Sequence, residues 1–262
     1  MYETVNVETR DGAAWIELNR PDALNAWNTQ LGEELAAAVH HAAADDQARV
    51  VVITGAGRAF SSGADLKQGF DPTAAGHPDV HTRLTQTYHP IMAAIRRMPK
   101  PVIAAVNGPA VGIGCSLSLS CDLIVAAESA YFLLAFVNIG LVPDGGSSLF
   151  IPARAGFTRV AEMALLGERV SAEQAERWSL INRVYPDESF RASVDELVSR
   201  FATGPTRSFA GTKRQLNRWV FTGMDDQLAL EADVQQEMAA SPDFAEGVTA
   251  FVQKRPAQFT GR

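Results

Sequence analysis

Two apolar runs rich in β-branched residues, Val50 to Thr54 and Val102 to Val106, each break into a loop of small residues. Short runs of this kind bounded by turn formers read as buried strands. The loops that follow contain Ser61-Ser62-Gly63-Ala64-Asp65-Leu66 and Asn107-Gly108-Pro109-Ala110-Val111-Gly112-Ile113-Gly114. Small residues after a strand let backbone N–H groups approach a ligand that a Cβ would block. Two such loops can aim two donors at one oxygen, which is how charge developing on a carbonyl is held. The pattern therefore points to chemistry on an acyl group and leaves open which side chain moves the proton.

The rest of the chain supplies a frame for these loops. The start reads as a hairpin, Thr4 to Glu8 and Ala13 to Leu18 around a turn at Asp11-Gly12. Asn28 is a candidate N-cap for a helix to about Ala44, with Leu31, Leu35 and Val39 on one face. Residues 68–81 carry helix and strand breakers with little periodicity and read as a mobile loop beside a site. A helix over about Val80 to Arg97 leads through Pro99 and Pro101 into the second buried strand. Beyond it come a short buried helix over Cys115 to Cys121, strands at Leu123 to Ala126 and around Tyr131 to Leu134, and the segment Gly140-Leu141-Val142-Pro143-Asp144-Gly145-Gly146. From Arg159 the pattern is helical, with segments at Val160 to Leu166, Ser171 to Trp178, Phe190 to Ala202, Thr206 to Val220, Asp225 to Met238 and Phe244 to Lys254. A strand, strand, helix rhythm in the first two thirds predicts an α/β core. Residues 1–203 read as that core and 204–262 as a helical oligomerisation region, with no linker between them.

At 262 residues with 47% hydrophobic residues, the chain can bury one large core. No basic segment leading into an apolar stretch opens it, and no run of eighteen apolar residues occurs, so neither secretion nor membrane spanning is expected. Its two cysteines, Cys115 and Cys121, form neither a disulfide framework nor a CxxC pair, so no metal site is expected. The cytoplasm is the expected location. A net charge of −7 argues against nucleic acid. A polyanionic ligand remains compatible through local cations, for which Arg20, Arg58, Lys67, Lys254 and Arg255 are candidates.

The motifs narrow the chemistry. Gly55-Ala56-Gly57 has Phe60 where a dinucleotide fingerprint needs its third glycine, and Gly108, Gly112 and Gly114 are wrongly spaced for it. Ser61 and Ser62 lack the G-x-S-x-G setting of a nucleophile. His77 and His81 are four apart, but Pro78 lies between them, and His40, His41 and His89 carry no signal. Asp65 reads as a local turn carboxylate. Asp144 has two readings of comparable weight, a helix N-cap and a general base.

Four segments together resemble the enoyl-CoA hydratase/isomerase (crotonase) superfamily: LNRPDALNAWN from Leu18, ITGAGRAFSSGADLK from Ile53, KPVIAAVNGPAVGIGCSLSLSCD from Lys100 and IGLVPDGGSS from Ile139. The closing FVQKRPAQFTGR from Phe251 is similar to the family's tail. The resemblance implies a spiral of ββα turns with a C-terminal helical region that forms trimers or dimers of trimers. It implies CoA thioesters as substrates, with coenzyme A belonging to the substrate and no separate cofactor. It also implies an oxyanion hole from the backbone N–H groups of Ala64 and Ile113, the latter at a helix N-terminus behind Gly112. By the same likeness Ser62, Ala64, Asp65, Leu66 and Lys67 line the CoA path and Lys254 lies near a CoA phosphate.

The family's hydratases carry two glutamates, and at the matching positions this chain has Ser116 and Phe136. Hydration needs one group to activate water and another to manage the α-proton, and neither residue can do either. A double-bond shift needs one carboxylate. Asp144, in a PDGG setting that resembles the isomerase branch, supplies it, and Phe132, Phe136, Ile139 and Leu141 are expected to keep water from it. The expected activity is an acyl-CoA isomerase, acting on a 3-enoyl chain or a ring epoxide as in phenylacetate catabolism. The alternatives are an enoyl-CoA hydratase with relocated groups and an acyl-CoA-binding protein without catalysis.

Overall fold

The computed structural model describes residues 2–262. Strands β1 (Val5–Arg10) and β2 (Ala13–Leu18) pair antiparallel through a turn in which Asp11 and Gly12 both have positive φ. Helix α1 (Thr29–Ala44) follows, and the Asn28 side chain accepts from Leu31 N–H at 2.8 Å as an N-cap. Strand β3 (Val50–Gly55) then lies parallel to β2. A bent helical segment comes next, made of α2 (Val80–Arg83), a π turn over Leu84–Tyr88 and α3 (His89–Arg97). It is followed by β4 (Val102–Val106), β5 (Ala110–Val111) and α4 (Ile113–Ser120). Next come β6 (Leu123–Ala127), β7 (Tyr131–Leu133), α5 (Ser147–Ala155) and α6 (Phe157–Leu166). Then β8 (Val170–Ser171), α7 (Ala172–Arg177), β9 (Arg183–Tyr185) and α8 (Phe190–Ala202) lead to the closing helices α9 (Thr206–Val220), α10 (Met224–Ala239) and α11 (Pro242–Gln253).

The strands form a six-stranded sheet in the order β1-β2-β3-β4-β6-β9, parallel beyond the first pair, and a smaller sheet β5-β7-β8. Ser61 joins the smaller sheet by a parallel bridge to Ala110. The turns that begin at β3, β4 and β6 thus each add one strand to the large sheet and one extended segment to the small one before a helix follows. This is the α/β core predicted by the strand and helix rhythm, wound as the spiral that the resemblance implies. Short strands such as β5 and β8 carry too few residues for a periodic signal, and Pro152 interrupts the pattern of α5.

Alternation along the strands sorts side chains between two faces. Ile16, Val51, Ile53, Val102, Ala104 and Ile124 join the main core, while Trp15, Val50, Val52, Ile103 and Val125 pack against Val194 and Val198 of α8. Strands covered on both faces must be apolar throughout, which is why they read as unbroken runs. In the main core Trp27 is fully buried, edge-on to Tyr88 with ring centroids 5.1 Å apart.

The loops after β3 and β4 pack backbone to backbone. A Cβ on Gly108 would sit 2.3 Å from the Arg58 carbonyl oxygen. Gly108→Ala is expected to lower unfolding free energy by about 1–3 kcal/mol through this overpacking. Urea unfolding followed by circular dichroism measures it, and an unchanged midpoint would mean that the loops can part freely.

Candidate active site

The two glycine loops meet through a short ladder. Ser61 N–H donates to the Pro109 carbonyl at 3.0 Å, Val111 N–H to the Ser61 carbonyl at 2.9 Å, and Gly112 N–H to the Leu133 carbonyl at 2.9 Å. On the other side of the first loop, Trp27 N–H donates to the Gly63 carbonyl at 2.8 Å. The C=O and N–H of one trans peptide point opposite ways, so this bond turns Ala64 N–H away from Trp27. The same logic acts in the second loop. The Gly112 carbonyl accepts from Ser116 N–H at 3.0 Å inside α4, which turns Ile113 N–H outward from the helix start. Both peptides follow glycines at positive φ, +95° for Gly63 and +51° for Gly112, where a side chain would be strained. Neither Ala64 N–H nor Ile113 N–H has an acceptor among the described residues. Both residues line one cavity of about 560 Å³, so an oxygen held there can receive two backbone donors.

Asp144 lies on the wall of this cavity and is 5% exposed. Gly145 and Gly146, at φ +62° and +82°, turn the chain after it, and α5 starts only at Ser147 with Gly146 at its cap position. The side chain of Asp144 therefore does not cap the helix, and its N-cap reading fails because two left-handed residues intervene. Its backbone carbonyl is clamped instead, accepting from the hydroxyls of Ser116 and Ser147, each at 2.8 Å. Ser116, where the resemblance sets a hydratase glutamate, thus holds the Asp144 backbone in place.

The carboxylate itself accepts at Oδ2 from Gln235 Nε2 at 2.7 Å, and Oδ1 has no partner among the described residues. Burial pushes its pKa up from 3.8 to about 8; the Gln235 hydrogen bond opposes the rise and the nearby charge of Glu231 adds to it. Glu231 is buried as well and lifted to about 7 by that burial, against the hydrogen bonds it receives from Ser148 and from the N–H groups of Gly146 (2.7 Å) and Ser148 (3.2 Å). These donors stand at the start of α5, where a carboxylate is favoured. His89 Nε2 lies 3.8 Å from Glu231, and burial pulls that imidazole down to about 4, so it is neutral at pH 7.

Of the residues singled out in the sequence, Ser62, Ala64, Leu66, Gly112, Ile113, Phe136 and Asp144 come together on the cavity wall. Asp65 does not join them, because its Oδ2 pairs with Arg20 Nη1 at 3.0 Å and its Oδ1 accepts from Lys67 N–H at 3.2 Å. Lys67 is also off the wall. Lys254 ends α11 in the left-handed conformation and is exposed, while its neighbour Arg255, paired with Glu246 at 2.6 Å, lines the cavity. Phe132 is fully buried away from the cavity; the alternation of β7 turns Tyr131 and Leu133 onto the wall instead. Phe136, Ile139 and Leu141 line it as expected. Phe70, in the breaker-rich segment after the first loop, faces it too.

Glu231, Gln235 and His89 escaped the sequence reading. The signal for the first two was present: Met224, Leu228, Ala232 and Ala239 form the buried stripe of α10, and Glu231 and Gln235 fall on it. A carboxylate and an amide on an apolar stripe need partners. Among the described residues no three His, Cys, Asp or Glu side chains converge as a metal would require, and no helix is long and apolar enough to cross a membrane.

A sequence model of the enoyl-CoA hydratase/isomerase family matches residues 8–262. A Rhodobacter capsulatus protein described as "Probable enoyl-CoA hydratase" is 43% identical, over 100% of this chain and 99% of that one. The 1,2-epoxyphenylacetyl-CoA isomerase of Escherichia coli is 39% identical over the full length of both. The crystal structure of an enoyl-CoA hydratase from Mycobacterium avium subsp. paratuberculosis superposes with a TM-score of 0.90 at 40% identity, covering 99% of this chain and 100% of that one. With its two-loop cavity, its spiral of strands and these full-length likenesses, the chain belongs to the enoyl-CoA hydratase/isomerase (crotonase) family.

Proposed function

We propose that this protein is an acyl-CoA isomerase that moves a double bond from the 3- to the 2-position of an enoyl-CoA, or isomerises a ring-epoxide CoA thioester. The observation that carries the reading is Asp144, a buried carboxylate with one unpartnered oxygen, on the same wall as two unpartnered backbone donors. The thioester oxygen accepts from Ala64 N–H and Ile113 N–H. Asp144 takes a proton from C2, and the electron pair delocalises through the double bond onto that oxygen as a dienolate. The protonated Asp144 then returns the proton to C4, the 2,3 double bond forms, and the enzyme is restored. Each backbone donor contributes about 3 kcal/mol to the transition state, by comparison with other oxyanion holes.

Hydration would need a second acid/base group, and Ser116 and Phe136 supply none. Of the titratable groups near Asp144, Glu231 is engaged at the start of α5, His89 is off the cavity wall, and the Tyr88 phenol, which is on it, is pushed up by burial and keeps its proton at neutral pH. Ser62 to Lys67 are proposed to follow the CoA moiety, with Lys254 near a phosphate. A trimer, alone or paired, is proposed from the family likeness as the working form, and exposed Phe157, Trp219, Leu230 and Phe251 are apolar surface that association would cover.

As a base Asp144 must be ionised in the free enzyme. With its pKa at about 8, kcat/KM for a 3-enoyl-CoA is expected to rise with pH through that value. Asp144→Asn is expected to lower kcat by at least about a hundredfold. Turnover in heavy-oxygen water should leave the product unlabelled, whereas label in the product would establish a hydratase. Tight binding of acyl-CoA without turnover of either substrate class would establish a binding protein.

The same burial has a thermodynamic signature. The folded state keeps a proton on Asp144 that the unfolded chain releases, so between about pH 4 and pH 8 this group makes stability fall as pH rises. Asp144→Asn removes that slope. Its melting temperature should exceed that of the parent by more at pH 8 than at pH 5, and an equal difference at both would mean that Asp144 is ionised in the fold throughout.

A further inference from the structure

Gln235 comes from the closing helices, far in sequence from either glycine loop, yet it is fully buried on the cavity wall. Its amide has one possible orientation. Oε1 accepts from Val142 N–H at 3.3 Å, which leaves Nε2 to donate to Asp144 Oδ2 at 2.7 Å. The flipped amide would set donor against donor at Val142 and acceptor against acceptor at Asp144. The two oxygens of Asp144 are thereby made unequal. A proton on Oδ2 would meet an N–H that already points at it, whereas Oδ1 is unpartnered.

We infer that Gln235 is a positioning residue that reserves Oδ1 as the one atom of Asp144 to exchange protons with the acyl chain; this rests on the isomerase reading. By holding one oxygen, Gln235 keeps the other over the chain while the proton passes from C2 to C4. The charged group that bears on Asp144 is Glu231, one turn before Gln235 on α10; Asp144 in turn acts on the Tyr88 phenol of the π turn, as do Arg83 and Asp65. His89 of α3 stands beyond Glu231. From α4 the neighbour is Ser116, which bonds only the Asp144 backbone. Among these Gln235 alone donates a hydrogen bond to the carboxylate.

Gln235→Met keeps the length and removes the donor; Gln235→Glu keeps the shape and sets an acceptor against Asp144. The test uses the full chain and a 3-enoyl-CoA deuterated at C2, reading kcat/KM against pH and the share of deuterium delivered to C4. In Gln235→Met the rise of kcat/KM should move up by about one pH unit, a tenfold loss below it that recovers above. KM should change little, and deuterium transfer should drop as both oxygens become competent. Gln235→Glu should move the rise further the same way, and it decides the matter should the methionine variant fail to fold. A rise and a deuterium transfer both unmoved in a folded variant overturn the inference, leaving Gln235 as packing. Asp144→Asn separates the two failures: if it retains activity the isomerase reading itself falls, whereas an inactive Asp144→Asn beside an unmoved Gln235→Met rejects the inference alone.

Discussion

The contact on which the rest depends is the backbone ladder between the loops after β3 and β4. The bonds among Ser61, Pro109 and Val111 stitch those loops together, and Trp27 pins the first from outside. Each bond consumes a carbonyl whose partner N–H must then point the opposite way. The two free donors are thus a by-product of the fold's own hydrogen bonding, held by peptides that cannot turn without breaking the ladder. Preorganisation of this kind needs no movement when charge appears on the substrate.

The carboxylate works under the opposite condition. It sits where ionisation is unfavourable, and its charged form is supported by a single amide donor with a second buried carboxylate nearby. The features that raise its basicity also reduce the stability of the fold at alkaline pH. Its backbone is over-determined in compensation: two serine hydroxyls grip its carbonyl, and Glu231 fastens the first turn of α5 behind it. Rigidity in the main chain allows a strained charge state in the side chain.

Most of the core was legible because its strands are covered on both faces and must be apolar throughout. The helices after Gly204 were legible because their length gives periodicity room to show. Strands of two or three residues were not, since their pairing is set by the chain on either side. In the site, the glycines and Asp144 stood out because backbone approach and a lone acid in an apolar stretch both leave marks in sequence. What the sequence did not carry was the local setting of Asp65, paired with Arg20, and of Lys254, exposed at the end of α11.

The chain's order of residues alone determined that two small-residue loops follow buried strands, that Ser116 and Phe136 stand where the resemblance sets two glutamates, and that one aspartate stands near an apolar segment. Only the tertiary structure decided that this aspartate is not a cap and keeps one oxygen without a partner among the described residues, because that turns on the left-handed pair Gly145 and Gly146. It alone brought Gln235 onto the carboxylate of this acid and Glu231 onto the Gly146 N–H beside it, from about ninety residues further along the chain. Hydrogen bonds between segments so distant leave no periodicity in the sequence, since they depend on where α10 lands on the core and not on any neighbour along the chain.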